Sequence, residues 1–193
     1  MLILLIGLAI FFLVHVVPTA PDIRSGLVAR FGEGTYKIIF AALSLVGFAL
    51  IVLGYHKLQI MPGKNPQLWA PPVWTRHLAF TLMLPAMILL VAAYVPSKIR
   101  TAVKHPLLAA TKLWALAHLL ANGDLGSVAL FGSFLAYAIY DRISVKRRNA
   151  LGPLGSAQGS LSGDVVAVAA GLALYGLMLH WGHGALIGVP LVN

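Results

Sequence analysis

At 193 residues, with 60% hydrophobic and only 10% charged residues and a mean hydropathy of +0.89, the chain is too apolar for a soluble domain, which averages about 45–50% apolar and about 25% charged. The formal charge of +9 is scattered through short loops without a recognition module, so nucleic acid is not its partner. Cysteine is absent, which excludes disulfides, thiolate catalysis and cysteine-ligated metal centres. These features predict an all-α integral membrane helical bundle, a single domain over 1–193, with the lipid bilayer as its surroundings.

In chain order, apolar segments bounded by Pro, Gly or charge run at approximately 2–17, 35–55, 77–95, 106–122, 124–141 and 164–181, which gives about six transmembrane helices. The first, MLILLIGLAIFFLVHVVPTAPD, has no basic residue before its apolar core, and Pro21 follows its small-residue site Thr19-Ala20. That pattern reads as a retained helix, not a cleaved signal peptide. The fourth is the weakest: Lys112 interrupts it, and Asn122-Gly123-Asp124 leaves almost nothing before the fifth, as in a tight helical hairpin or a partly re-entrant segment. The stretch 146–164, KRRNALGPLGSAQGSLSGD, reads as a mobile connection whose basic start sits against anionic headgroups.

Charge sets the expected orientation. If six segments alternate, loops one, three and five carry ten Lys and Arg, from Arg24 to Arg148, against three on the opposite side, Lys57, Lys64 and Arg76. The positive-inside rule then places the basic loops in the cytoplasm and both termini in the periplasm of a bacterial inner membrane.

Ionisable residues inside a membrane are costly and mark function by default. His15 lies near the end of the first segment, where it is either interfacial or functional. His118 is surrounded by apolar residues on both sides in LWALAHLLA. Thr111, Trp114, His118 and Asn122 are spaced three, four and four apart, one helical face that combines polar and aromatic groups. His105 is 13 residues from His118 and faces elsewhere, so the two do not form an i, i+4 metal pair. His105-Pro106 reads first as helix punctuation. Lys112 either snorkels to the surface or, with Lys104 and Arg100, balances the carboxylates of a cofactor. His56, His77, His180 and His183 read as interfacial. Asp124 and Asp141, about 25 Å apart along one helix, form no dyad. What remains is neutral imidazole in an apolar bundle, the setting in which two histidines on different helices ligate haem iron.

The block HPLLAATKLWALAHLLANGDLGSVALFGSFLAYAIYDRISVKRR at 105–148, with FFLVHVVP at 11–18 and LVGFALIVLGY at 45–55, resembles the NnrU family of bacterial membrane proteins over essentially the whole chain. That family is linked to denitrification through nitrite and nitric oxide reductases. A relative is the 15-cis-zeta-carotene isomerase of plants and cyanobacteria, which carries haem b on two histidines. The resemblance implies haem b here, with ligands on His15 and His118; His56 and His105 match further histidines of that relative. Thr111, Trp114, Asn122 and Lys112 then become cofactor neighbours. Depth along the six segments instead pairs His15 with His105, because His118 lies about 18 Å along its helix from the basic side.

Three readings of function follow. One is a haem-binding membrane protein with redox-regulated, isomerase-like chemistry on a lipophilic or nitrogen-oxide substrate. Another is a non-enzymatic assembly or haem-handling factor for a respiratory reductase. A membrane methyltransferase, which uses an HP motif near a late helix, is the least supported, since no glutamate follows Glu33.

Overall fold

The structure, a computed structural model, describes residues 1–61 and 63–192. Among these residues the chain is helix and loop, without a strand and with two isolated β-bridges. It forms two compact units, Met1–Pro66 and Gln67–Asn193.

The first unit contains α1 (Leu2–Val16), a single 3₁₀ turn at Val17–Thr19, α2 (Pro21–Phe31) and α3 (Glu33–Ile60). Proline at the first position starts α2, and Gly32, at φ 81°, separates it from α3. The segment of α2 shows no apolar period and reads from sequence as loop. It is helical because Pro21 and Gly32 punctuate it and Asp22 and Arg30 complement its dipole at the two ends. α1 packs antiparallel on α3 through glycines. A Cβ at Gly7 would stand 2.7 Å from the Ile51 nitrogen, one at Gly47 2.8 Å from that of Phe11, and one at Gly54 2.5 Å from that of Leu4. Apolar helices in lipid gain little from hydrophobic burial against each other, so close backbone contact over small residues holds them together.

The second unit contains α4 (Trp74–Ala92), α5 (Lys98–Val103), α6 (Pro106–Ala121), α7 (Leu125–Arg147) and α8 (Leu161–Leu177), which continues through a π turn at Met178–Gly182 into α9 (His183–Ile187). α4 packs on α6 and α8, and α6 on α7. Gly171 lets α8 approach Ile88 of α4, where a Cβ would meet the Ile88 Cα at 2.6 Å. The tight joint between α6 and α7 has a local cause. Asp124 caps α7, its Oδ1 accepting from the Ser127 N–H at 2.8 Å and its Oδ2 from the Ser127 hydroxyl at 2.6 Å. The Gly123 carbonyl in turn accepts the amides of Leu68 and Trp69.

Helices α1 with its 3₁₀ turn, α3, α4, α7 and the α8 to α9 run are each long and apolar enough to cross a membrane. α6, at 16 residues, is about 24 Å long, short of the ~30 Å hydrocarbon core. Large apolar side chains face outward, among them Leu13, Leu2, Ile38 and Leu45 at 69–74% exposure, a surface that suits lipid and not water. The protein is therefore a helical membrane bundle.

The connection 148–160 is tied down. Ser160 N–H and Oγ both donate to the Pro96 carbonyl, Arg100 donates from Nη1 to Gly155 O at 3.1 Å and from Nη2 to Ala157 O, and Asp164 Oδ1 accepts the Ile99 N–H. Its Gly and Ser content, which reads as mobility, instead permits close approach: a Cβ at Gly159 would collide with the Ser97 carbonyl and the Lys98 nitrogen. Small residues alone do not make a contact: Gly7 and Gly47 lie against a neighbouring helix, whereas nothing lies within 4 Å of a Cβ at Gly132.

Gly47→Ala and Gly54→Ala are each expected to destabilise the protein by about 1–3 kcal/mol through overpacking. Gly26→Ala, where a Cβ meets nothing, is expected to be neutral or slightly stabilising. Thermal unfolding in detergent distinguishes the two classes.

Candidate functional site

The polar and aromatic face of α6 turns toward α7. Trp114 packs edge-on against Phe131 and Phe134, with ring centroids 4.9 and 5.4 Å apart. His118 stacks on Phe131 at 4.3 Å and 24°. Three residues of the face bond back to their own helix: Thr111 Oγ1 donates to Leu107 O, His118 Nδ1 lies 2.8 Å from Trp114 O, and Asn122 Nδ2 donates to His118 O. Lys112, half-buried, follows Thr111 and stands off this face. His105 occupies the N-cap position of α6, before Pro106, about 20 Å along the axis from His118.

A second imidazole joins this cluster. The His183 ring lies 6.3 Å from that of His118, centroid to centroid, and within 17° of parallel. Its Nδ1 is 2.6 Å from Val189 O, a contact made as the chain turns back at Gly188, φ 81°. The preceding π turn carries His180 and Trp181, and π turns recur at functional sites. Sequence reasoning missed His183 because HWGH resembles the end of a span. The signal was the apolar ALIGVP that follows it.

In the first unit His15 sits in the last turn of α1. Its Nδ1 lies 2.6 Å from Phe11 O, its ring stacks on Phe11 at 3.9 Å and 20°, and Phe40 approaches at 5.1 Å. The contacts of Leu4 with Gly54, Gly7 with Ile51 and Phe11 with Gly47 set the antiparallel register. In that register His15 is level with residue 43, so His56 lies about 20 Å further along α3. These two histidines are not brought together.

His15, His118 and His183 share one arrangement. With Nδ1 donating to a backbone carbonyl, the lone pair belongs to Nε2, the usual orientation of a metal-ligating histidine. Neutral imidazole in apolar, aromatic surroundings suits a late transition metal. Among the described residues no three of His, Cys, Asp or Glu gather in a way that would hold a bare metal ion. A group that brings its own metal ligands would ask of the chain only single imidazoles of this kind. Haem is such a group, and the rings of Trp114, Phe131 and Phe134 make the surroundings of His118 apolar.

The family described as NnrU protein matches residues 3–191, nearly the entire chain. The chain belongs to the NnrU family. No curated protein and no solved structure matches it. The match spans both units, so the helices of this NnrU chain that carry His15, His118 and His183 all lie within the family's bounds.

Phe131, 2% exposed, is the hinge of the aromatic cluster. Phe131→Ala is expected to cost about 3–5 kcal/mol and Phe131→Leu distinctly less, read from denaturant or thermal unfolding of the purified protein.

Proposed function

We propose that this NnrU chain is a haem b-binding protein of the bacterial inner membrane, with His118 as an iron ligand, linked to denitrification through nitrite and nitric oxide reduction. The observation that carries the reading is the His118 imidazole, held by Trp114 O and stacked on Phe131, with Nε2 bearing the lone pair. Bound haem b supplies a one-electron couple. The chain supplies oriented imidazoles, apolar walls and exclusion of water. The resemblance assigns the second ligand to His15, and the parallel ring of His183 offers another in the unit that holds His118. Redox-regulated, isomerase-like chemistry on a lipophilic substrate is the activity that fits such a site. The ten-to-three distribution of basic residues favours six crossings with both termini periplasmic, with the short α6 counted as the sixth.

A second reading, a non-enzymatic assembly or haem-handling factor for a respiratory reductase, draws on the carboxylates. Asp124 caps α7, Asp141 pairs with Arg148, Asp164 accepts the Ile99 amide and Glu33 pairs with Lys37. None of these four stands ready as a general acid or base beside His118.

The test is an optical spectrum, oxidised and reduced, of detergent-purified protein made with ample haem, beside His15→Ala, His118→Ala and His183→Ala. A six-coordinate haem b spectrum, abolished by His118→Ala and shifted to five-coordinate by one of the other two, is expected and names the second ligand. Stoichiometric haem favours the first reading, and substoichiometric haem the second. Protein without haem under these conditions sinks both, and binding of S-adenosylmethionine would then point to a methyltransferase.

A further inference from the structure

At the end of the second unit opposite His118, α5, the start of α6, the end of α7 and the segment 149–157 enclose a cleft of about 500 Å³. Its walls carry Arg100, Lys104, Arg142 and Lys146, together with the imidazole of His105, and no carboxylate. The nearest acid in sequence, Asp141, is paired with Arg148 at 3.4 Å. Four cations and an imidazole thus face one space without a counter-charge on its lining.

Like charges gathered in this way repel one another, and the repulsion is felt locally. Burial, then the Arg142 guanidinium, and more weakly the Lys104 ammonium, hold the His105 imidazole below its ordinary value, opposed in part by Asp141. Arg100 is only 7% exposed. Two of its donors fix the 149–157 segment through Gly155 O and Ala157 O, while its Nε–H is buried without a partner. A buried, charge-bearing donor left unmade is costly, and a negative charge in the cleft beside the guanidinium would offset that cost. Lys104 and Asn149, both on the lining, are the non-glycine residues with positive φ among those described, at 65° and 47°. Strained backbone of this kind gathers where a ligand is clamped.

We propose that this cleft binds a phosphate-bearing anion of headgroup size, held by Arg100, Lys104, Arg142 and Lys146. The volume exceeds what a bare phosphate fills and admits a phosphorylated glycerol or a comparable group. Basic pockets between helices on the cytoplasmic side are a recurrent headgroup site. Two sources share the chemistry: an anionic phospholipid of the bilayer, or a soluble phosphate ester. The site is independent of the haem reading, since it lies about 20 Å along α6 from His118.

The experiment is thermal unfolding of the full chain in a neutral detergent, titrated with dioctanoyl-phosphatidylglycerol, dioctanoyl-phosphatidylcholine, glycerol 3-phosphate and pyrophosphate. A saturable rise in Tm with phosphatidylglycerol and not with phosphatidylcholine assigns the site to lipid. A rise with glycerol 3-phosphate or pyrophosphate alone assigns it to a soluble ester. In either case Arg142→Gln with Lys146→Gln is expected to weaken the apparent affinity by about tenfold per charge, while Arg76→Gln, at the start of α4 and off the lining, leaves it unchanged. Lys146→Gln alone, at an exposed position, serves as a milder variant if the pair misfolds. No saturable rise with any anion, or an equal rise in wild type and the cleft variants, overturns the proposal.

Discussion

A bilayer core offers no water to a stray donor or acceptor, and the rest of this structure depends on that constraint. It confines the backbone to helices, and it also governs the side chains. Thr111, Ser133 and Asn122 each donate to the carbonyl four residues earlier, and His15 and His118 engage theirs through Nδ1. A hydroxyl that bends back in this way has used its donor on the helix. An imidazole that does so still has a second nitrogen, and the first bond decides which nitrogen carries the lone pair. The same requirement that settles polar groups in lipid therefore fixes, for these histidines, which ring nitrogen keeps its lone pair.

The acids show the complementary side of that constraint. Five carboxylates serve 193 residues, and four have a structural partner: a helix cap at Asp124, an amide at Asp164, and ion pairs at Asp141 and Glu33. These four carboxylates are engaged in capping a helix, tying down a connection or pairing with neighbouring cations.

Much of this was legible in the sequence, and the exceptions have physical causes. The 3.6-residue period placed Trp114 and His118 on one face, and the structure packs that face on Phe131 and Phe134. Hydropathy located the long helices but not α2, whose form comes from Pro21 and Gly32 and not from apolar period. Composition misled at 148–160, because Gly and Ser favour mobility only where nothing is near, and here they let the chain lie against Pro96 and Ser97. His183 was hidden for another reason: its approach to His118 bridges 65 positions and depends on a π turn that no apolar pattern announces.

The two ends of α6 divide the chemistry by dielectric. His118, among Trp114 and Phe131, is where a neutral ligand is cheapest and a bare charge most costly. At the other end, Pro106 starts the helix beside Lys104 and His105, where loops and water bring cations together. A cationic group placed at the level of His118 would need a buried partner, and a neutral imidazole at the level of Lys104 would have water as a competing ligand. Sixteen helical residues are enough to separate these environments by roughly two-thirds of a hydrocarbon core. One short helix thereby presents an apolar imidazole site at one end and an anion cleft at the other, each where its charge state is stable.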